Sequence, residues 1–434
     1  MIKSEALPYL PQSEIKSFQE KKLAETLGYI RTHSPYYKEL FVDEKIDITG
    51  IRQIEDLQQI PVTTKQDLQL RNADFLCVNS TEILDYVTTS GTLGEPVTFA
   101  LTQSDLERLA LSEYLSYQIC GCTPGDILQL MVTNDRCFMA GLASLTGSFR
   151  FGSGIIRSGN GIPELQWSLI RQIHPTVCVC VPSFILRLIE FAEMRGIDYR
   201  RSSLKRAVCV GESLRTDERT YSVLGEKIHG LWPELSLHSN YASTEMQSSF
   251  MECEKQCGAH HKPDLTIVEF LDNDNCPVAS GKPGEITITT LGVEGMPLIR
   301  FKTGDICCHY DEPCACGRNS LRLGPIIGRK GQMIKYKGTT LYPPALYDVL
   351  DNIPEVTNYI VEVYTNTIGT DSIRISIGAS DNSERFVKQI KDMFRSKIRV
   401  APDIICEPVE LIMQKQMPPT SRKLVKFFDY RERK

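Results

Sequence analysis

The sequence predicts an α/β protein with a large N-terminal domain, whose β-sheets are covered by helices, and a small α+β domain at the C-terminus. Three observations predict this fold class. The 434 residues exceed the size of one ordinary hydrophobic core. Between residues 86 and 245, short apolar strands alternate with amphipathic helical stretches, as in parallel sheets. From about residue 331, a shorter pattern of strands and helix follows, which is typical of a two-layer domain.

The elements are predicted in order along the chain. Apolar positions near a 3.6-residue spacing predict a helix over residues 14–40, and a threonine at 63 or 64 is expected to cap a short helix after Pro61. The strands and helices expected next are strands 84–87, 127–132, 154–156, 176–181 and 207–210, with helices 167–173 and 184–194. Turn-rich segments then indicate antiparallel strands at 267–271 and 285–290. The C-terminal domain is expected to contain strands 356–363, 372–377 and one near 407–412, with a helix at 383–396.

The composition indicates a globular protein that binds neither nucleic acid nor membrane. Hydrophobic residues make up 41% and charged residues 24% of the chain, and the net charge of -5 provides no basic field. No segment has the ~20 uninterrupted apolar residues that span a bilayer, and no signal peptide is visible. The 15 cysteines are therefore interpreted as reduced thiols, some of them available to a metal, and we expect a cytoplasmic location.

A loop rich in Thr, Ser and Gly occupies residues 88–96, with the sequence TTSGTLGEP. Hydroxyls and backbone N–H groups, with glycines that permit close approach, are typical of a nest for phosphate oxygens. Ser90, Gly91 and Thr92 are the candidate phosphate-binding residues. The loop lacks the lysine of a P-loop, and by itself it is equally compatible with a surface turn.

Four further segments follow this loop in order: VGES at 210–213, NYASTE at 240–245, MPLIRFKTGD at 296–305 and IGRKGQMIKYKG at 327–338. Together the five segments resemble the motifs of the acyl-adenylate-forming superfamily. The stretches SPYYK at 34–38 and YPP at 342–344 narrow the resemblance to the phenylacetate–CoA ligase branch. The resemblance covers nearly the whole chain. It implies an acyl-CoA synthetase-like fold, with residues 1–328 as the adenylation domain for ATP and acid and residues 329–434 as a mobile domain.

The activity that the resemblance implies is ATP-dependent acid–CoA ligation. The acid would attack the α-phosphate of ATP to form an acyl-adenylate, and coenzyme A would then take the acyl group as a thioester. An aryl acid such as phenylacetate is the family expectation. Two alternatives stay open: an adenylating enzyme that delivers the acyl group to a non-CoA acceptor, and a non-catalytic nucleotide- or zinc-binding protein. The expected partners are the acid, ATP and CoA, and a homodimer is compatible with the sequence.

Each motif residue has a chemical task in this interpretation. Glu245 suits Mg²⁺, which takes carboxylate and phosphate oxygen together, and Thr244 suits a phosphate oxygen. Asp305 can accept hydrogen bonds from both ribose hydroxyls, and Tyr241 offers a flat face to adenine. The resemblance completes the ATP site with Gly211, Glu212, Ser213, Asn240, Ala242 and Arg329, the CoA site with Lys337 and Gly338, and the acyl pocket with Phe138 and Met139.

The catalytic lysine of the family lies near the C-terminus. The segment PPTSRK at 418–423 resembles the one that carries it, so Lys423 is the candidate for pairing with the carboxylate and the α-phosphate. Lys415 and Lys426 are the nearby alternatives, as is a solvated tail lysine with no role.

Three positions depart from the family's usual pattern. Arg422 stands where a glycine usually precedes the lysine. Ala242 replaces the glycine of the Tyr-Gly motif, and because its methyl narrows the space beside adenine or acyl group, we expect an unusual substrate. Gly331 occupies the usual hinge position, where it permits a large dihedral change but lacks the family's charged side chain.

A second group of candidate residues is separate from the ATP motifs. The segment CEKQCGAHH at 253–261 is followed some fifty residues later by Cys-Ala-Cys at 314–316. Two tight groups of thiols and imidazoles suit a tetrahedral, structural Zn²⁺. The favoured ligands are Cys253, His260, Cys314 and Cys316, with Cys257 or His261 as substitutes. The alternative is a set of reduced thiols without a metal.

Overall fold

The computed structural model describes residues 3–89, 96–336, 339–366, 371–418 and 424–431. The chain divides into two compact units, Met1–Ile326 and Ile327–Lys434. Among the described residues, no helix is both long enough and apolar enough to cross a membrane.

The α-helices within the described ranges are α1 Gln12–His33, α2 Pro35–Asp43, α3 Lys65–Leu70, α4 Gln103–Ile119, α5 Met139–Phe151, α6 Pro163–Ile173, α7 Pro182–Met194, α8 Val223–Leu231, α9 Pro343–Asp351, α10 Glu384–Ile398 and α11 Val409–Gln416. Short 3₁₀ turns lie at Leu7–Tyr9, Ile48–Gly50, Ile54–Gln59, Asn72–Phe75, Ser80–Glu82, Tyr199–Arg201 and Lys330–Gln332.

The strands of the larger unit are β1 Asp85–Thr88, β2 Thr98–Leu101, β3 Ile127–Leu130, β4 Gly154–Arg157, β5 Val177–Cys180, β6 Arg206–Val210, β7 Ser236–Ser243, β8 Ser248–Glu252, β9 Ala259–His260, β10 Thr266–Leu271, β11 Gly284–Thr290, β12 Phe301–Tyr310 and β13 Arg322–Arg329, which continues into the smaller unit. The strands of the smaller unit are β14 Ile334–Tyr336, β15 Thr339–Leu341, β16 Val356–Thr365, β17 Asp371–Ala379, β18 Asp403–Cys406 and β19 Phe427–Asp429.

One large mixed sheet organises the larger unit. Its eleven strands follow the order β10-β11-β12-β13-β9-β8-β7-β6-β5-β3-β4. The strands from β4 to β7 are parallel, and β7–β8, β8–β9 and β10–β11–β12 are antiparallel. The predicted change from parallel to antiparallel pairing after residue 245 is therefore confirmed, but both kinds of strand belong to one sheet.

Both faces of the parallel strands are covered by helices, as predicted. Side chains alternate along β5, so Val177 and Val179 pack with α4 and α5 while Cys178 and Cys180 pack with α6, α7 and α8. The two cysteines thus serve as small apolar side chains of the core.

The single helix expected over residues 14–40 is wrong, because α1 and α2 are separate. The side-chain oxygen of Ser34 accepts a hydrogen bond from the backbone N–H of Tyr37, and Pro35 opens the new helix. A proline has no N–H with which to continue the preceding helix, but it fits the first turn of the next one. The predicted cap at Thr64 is confirmed, since its side chain accepts from the Asp67 N–H at the start of α3.

The smaller unit has a four-stranded sheet in the order β18-β17-β16-β19. One face of α10 packs on it through Phe386, Ile390 and Phe394, which repeat every helical turn. The strand expected near 407–412 is wrong: the strand is Asp403–Cys406, and Val409–Gln416 is a helix. Pro408 begins that helix as its N-cap residue and, lacking an N–H, suits a helix start better than a central strand.

Candidate functional site

The ends of two neighbouring parallel strands bring two of the motifs together. The register of β6 with β7 pairs Val210 with Asn240, so the loop that begins at Gly211 starts beside Tyr241. Gly211 has φ +82°, a conformation that favours glycine, and this lets the chain turn sharply at the strand end. Segments that are about thirty residues apart in the sequence therefore meet at one edge of the sheet.

The third motif reaches the same place from the antiparallel half of the sheet. The Tyr241 hydroxyl donates a hydrogen bond of 2.9 Å to Oδ2 of Asp305, which lies 64 residues later on β12. Burial, reinforced by the Asp305 carboxylate, raises the pKa of Tyr241 well above its ordinary value, so the phenol keeps its proton and acts as the donor. Asp305 itself is only 4% exposed.

The tip of the β7–β8 hairpin carries the predicted phosphate and magnesium residues. Thr244 and Glu245 are half-buried in this turn, and Ala242 before them is exposed. The hydroxyl of Ser243 accepts a hydrogen bond of 3.2 Å from the N–H of Met246 and shapes the turn. A half-buried carboxylate at a tight turn is sterically available to a cation.

Glu212 has a structural partner that sequence reasoning missed. Its carboxylate accepts from the backbone N–H of Ser183 at 2.8 Å and from the Ser183 hydroxyl at 3.0 Å, at the start of α7. The first N–H groups of a helix lack partners within the helix and favour negative charge, which explains the contact. The next residue, Ser213, is exposed and donates to the Arg215 carbonyl at 3.1 Å.

For the remaining predicted site residues, the structure describes either part of the surroundings or nothing. The start of α5, with Phe138 as N-cap residue and the buried Met139, lies next to β1, because the Thr88 N–H donates to the Cys137 carbonyl at 3.0 Å. Arg329 ends β13 in the smaller unit. The residues outside the described ranges are Ser90, Gly91, Thr92, Lys337, Gly338 and Lys423.

The four favoured cysteine and histidine residues form one cluster. The candidate ligand atoms of Cys253, His260, Cys314 and Cys316 all lie within 4.8 Å of one another. The Sγ atoms of Cys253 and Cys314 are 3.8 Å apart, and Cys316 Sγ is 3.4 Å from Nε2 of His260. Zn–S bonds of about 2.3 Å in a tetrahedron put two sulfurs about 3.8 Å apart, so this spacing fits zinc.

Strand pairing explains how ligands from distant segments meet. Cys253 directly follows β8, and His260 lies on β9, which pairs with β8 on one side and with β13 on the other. Cys314 and Cys316 belong to the loop between β12 and β13. The cluster thus joins the end of the β7–β8 hairpin to the segment that follows Asp305.

The surroundings distinguish between the two substitute ligands. Nε2 of His261 is 2.8 Å from the Thr266 carbonyl, and burial lowers the pKa of His261 to about 4. Cys257, in contrast, has its Sγ 3.3 Å from that of Cys314. Burial alone would raise the pKa of Cys316, but hydrogen bonds from His260 and Arg318 outweigh it and bring the pKa to about 7. A thiol that ionises readily is a suitable metal ligand.

The sequence profile of the AMP-binding enzymes matches residues 40–295, more than half of the chain. The chain belongs to this family. It is 30% identical to the phenylacetate–coenzyme A ligase of Thermus thermophilus over 90% of this chain and 86% of that protein. It is 26% identical to the phenylacetate–coenzyme A ligase of Escherichia coli over 96% of this chain and 95% of that protein.

A solved structure supports the same fold. The crystal structure of 2-hydroxyisobutyryl-CoA ligase in the postadenylation state matches with a TM-score of 0.85 and 20% identity, covering 98% of this chain and 91% of that one. The predicted resemblance to the phenylacetate–CoA ligase branch and the predicted fold class are therefore confirmed.

This AMP-binding enzyme also contains a buried ion pair that the sequence did not indicate. The guanidinium of Arg215 donates to both carboxylate oxygens of Glu252, at 3.1 and 3.2 Å, and both side chains are under 10% exposed. Arg215 also lies 4.1 Å from the ring centre of Tyr221, and Glu252 accepts from the Ser239 N–H. The pair connects the loop after β6 to the residue before Cys253.

A buried lysine is the second feature without a sequence signal in this AMP-binding enzyme. Lys262 is 1% exposed, and its Nζ donates to the hydroxyl and carbonyl of Ser249 and the hydroxyl of Ser116, all at 2.7 Å, and to the Ser112 hydroxyl at 3.3 Å. The Ser249 hydroxyl donates to Glu113 at 2.7 Å, so the serine bridges the two charged groups. Burial lowers the pKa of Lys262 to about 8.

Proposed function

We propose that this chain is an AMP-forming acid–CoA ligase. It activates a carboxylic acid as an acyl-adenylate and passes the acyl group to coenzyme A. The observation that carries the proposal is the contact between Tyr241 and Asp305. It brings an aromatic face and a carboxylate together beside the turn at Gly211, which is what the adenosine part of ATP requires.

The residues at the sheet edge beside Gly211 suit a reaction in which two negatively charged substrates must be brought together. The acid and ATP are both anions, so the reaction needs cations and N–H donors around the α-phosphate. Glu245 at the hairpin tip would hold Mg²⁺, and Thr244 beside it would donate its hydroxyl to a phosphate oxygen. The cation supplies charge neutralisation, and the protein orients the phosphate and the carboxylate.

The substrate that fits best is an aryl acid such as phenylacetate. The relatives named above are phenylacetate–coenzyme A ligases. The start of α5 supports an apolar acyl pocket, since Phe138 and the buried Met139 lie beside the strand that leads into the loop at 88–96. The exposed Ala242 would adjoin the bound acid and restrict its shape.

The smaller unit supplies the lysine in this proposal. Of the alternatives to Lys423, Lys415 forms an ion pair of 2.8 Å with Glu407, and Lys426 donates to the Tyr359 hydroxyl at 3.1 Å. Both therefore have partners within the smaller unit, which supports Lys423. Residues 329–434 would move between the two half-reactions and, with Lys337 and Gly338, receive CoA.

The test is acid-dependent exchange of pyrophosphate into ATP. We expect exchange with an aryl acid and a loss of roughly a hundredfold in Lys423→Ala, because the lysine charge stabilises the transition state more than the ground state. Exchange would be measured with labelled pyrophosphate over a panel of aromatic acids. CoA thioester formation would then be followed by mass spectrometry.

Lys415→Ala and Lys426→Ala are the matched controls and should keep exchange near that of the unchanged chain. No exchange with any carboxylate would favour the non-catalytic nucleotide-binding alternative. Exchange without a CoA thioester would favour an adenylating enzyme with another acceptor. The cytoplasmic location and a homodimer remain predictions from the sequence.

The cysteine and histidine cluster has a structural role in this proposal. Cys253, His260, Cys314 and Cys316 would hold Zn²⁺ through three thiolates and one imidazole. Four protein ligands leave no position for water or substrate, as in structural zinc sites. Zinc there would tie the hairpin that carries Tyr241 to the segment that follows Asp305.

Cys314→Ser should lower the zinc content from about one ion per chain to well below one, since a hydroxyl is a poor zinc ligand. Elemental analysis of the purified protein measures this content. Cys276→Ser, at an exposed thiol outside the cluster, is the control and should retain the metal. Equal metal contents in the two variants would contradict the assigned ligands.

A further inference from the structure

We infer that Cys257 and Cys314 form a reversible oxidation site, in which a disulfide between them takes Cys314 away from the metal. The inference rests on the metal centre of the proposed function and not on the ligase activity. It assigns a modification site to a thiol, Cys257, that neither the nucleotide site nor the zinc ligand set uses.

The distance between the two sulfurs is the first argument. Cys257 Sγ lies 3.3 Å from Cys314 Sγ, which is closer than the 3.8 Å between Cys253 Sγ and Cys314 Sγ. The latter spacing fits two sulfurs that share a tetrahedral zinc ion, at about 3.8 Å. The distance between the sulfurs of Cys257 and Cys314 is shorter than this spacing, so Cys257 lies in contact with the proposed zinc ligand Cys314. A disulfide of about 2.05 Å needs an approach of only about 1.3 Å.

Arg322 holds Cys257 in this position. Its Nη1 donates to the Cys257 carbonyl at 2.7 Å and to the Cys257 Sγ at 3.1 Å. Its Nη2 donates to the side chain of Glu312 at 2.8 Å. The guanidinium is 2% exposed and therefore a rigid support, which keeps the sulfur next to Cys314 instead of in solvent.

Exposure decides which sulfur reacts first. Cys257 is half-buried, whereas Cys253 and Cys314 are buried. Cys316 is also half-buried, but it is 3.4 Å from His260 and would be held by the metal. A small oxidant such as hydrogen peroxide therefore reaches Cys257 as a thiol without a metal bond.

The chemistry balances in two steps with peroxide as the oxidant. The Cys257 thiol loses its proton beside the Arg322 guanidinium, and the thiolate attacks one peroxide oxygen. The O–O bond breaks, the sulfur becomes a sulfenic acid, and the departing hydroxide takes up a proton and leaves as water. The Cys314 thiolate then attacks the Cys257 sulfur, the S–O bond breaks, hydroxide leaves, and the S–S bond forms. Two electrons pass from the two sulfurs to peroxide. Cys314 would then no longer be available as one of the four ligands, so bound Zn²⁺ would be released.

The experiment uses the full chain after its zinc content has been measured. Dilute hydrogen peroxide is added, metal release is followed with a chromogenic chelator, and disulfides are mapped by mass spectrometry after alkylation of free thiols. We expect a Cys257–Cys314 disulfide to appear together with zinc release, and dithiothreitol with added zinc to reverse both. In Cys257→Ser, zinc release should be about tenfold slower, since direct oxidation of the metal-bound thiolates is all that remains.

Other cysteine pairs of the chain serve as controls for the Cys257–Cys314 disulfide. Cys120 and Cys122 have their sulfurs 3.5 Å apart, but both are buried, so this pair should stay reduced. A Cys253–Cys314 disulfide, or release that is equally fast in Cys257→Ser, would overturn the inference. A protein purified without metal would contradict the zinc proposal and, with it, the release of metal, while the disulfide map would still show whether Cys257 pairs with Cys314.

Discussion

Arg215→Met should lower the free energy of unfolding of the larger unit by about 3–5 kcal/mol, because it leaves the Glu252 carboxylate buried without its counter-charge. Glu252 is 1% exposed, and burial already raises its pKa, which the guanidinium opposes. The N–H groups of Ser239, at 3.1 Å, and Gly258 still donate to it, but backbone hydrogen bonds do not replace a bidentate ion pair. A loss of this size is large compared with the 5–15 kcal/mol that stabilises a typical domain.

Urea denaturation followed by tryptophan fluorescence measures this loss. Both tryptophans of the chain, Trp167 and Trp232, are buried in the larger unit, so their emission follows that unit alone. The double variant Arg215→Met/Glu252→Leu should recover most of the stability, because replacing both partners removes the unpaired charge. If the single and double variants were equally unstable, the loss would come from packing around Tyr221 and not from the charge.

Lys262→Met should lower the free energy of unfolding by about 3 kcal/mol. The change removes the donor to Ser249, Ser116 and Ser112 and leaves Glu113 without a cation. These groups lie between α4 and β8, where water cannot replace the ammonium group, because all of them are under 7% exposed. Unsatisfied buried acceptors carry their full desolvation cost. The same fluorescence measurement applies.

Adding Glu113→Gln to Lys262→Met is the matched comparison. The amide oxygen of glutamine still accepts from the Ser249 hydroxyl, and Glu113 no longer leaves a carboxylate without its cation. The double variant should therefore be more stable than Lys262→Met alone. An unchanged free energy in Lys262→Met would contradict the prediction and would mean that the contacts of Ser249 with Glu113 and Ser116 are sufficient without the lysine.

The sequence alone predicted the fold class and strands β3 to β6 of the larger unit, but it did not predict helices α4, α5 and α8. Strands 127–132 and 176–181 lie within a residue or two of β3 and β5, because alternating or continuous apolar runs are local signals. Two errors in element type or extent, the unbroken helix over 14–40 and the strand near 407–412, involve a proline whose helix-starting role was overlooked.

The sequence also indicated the family and the four residues of the cysteine and histidine cluster. Motif order and the spacing of cysteines and histidines can be read directly from the sequence. Cys253, His260, Cys314 and Cys316, which this spacing predicted as a group, lie together in the structure. It left Cys257 and His261 equivalent. Only their contacts in the folded chain separated them, because the Cys257 sulfur lies beside that of Cys314 while the His261 ring faces the Thr266 carbonyl.

By itself, then, the sequence determined that the chain is an AMP-binding enzyme and which motif residues are candidates for its site. The tertiary structure decided which of them touch: Tyr241 with Asp305, and Glu212 with the start of α7. It also decided where charge is buried, at Arg215 with Glu252 and at Lys262. The reason is physical. A motif reports neighbours along the chain, whereas hydrogen bonds and desolvation depend on strand register across an eleven-stranded sheet, which joins residues far apart in the sequence.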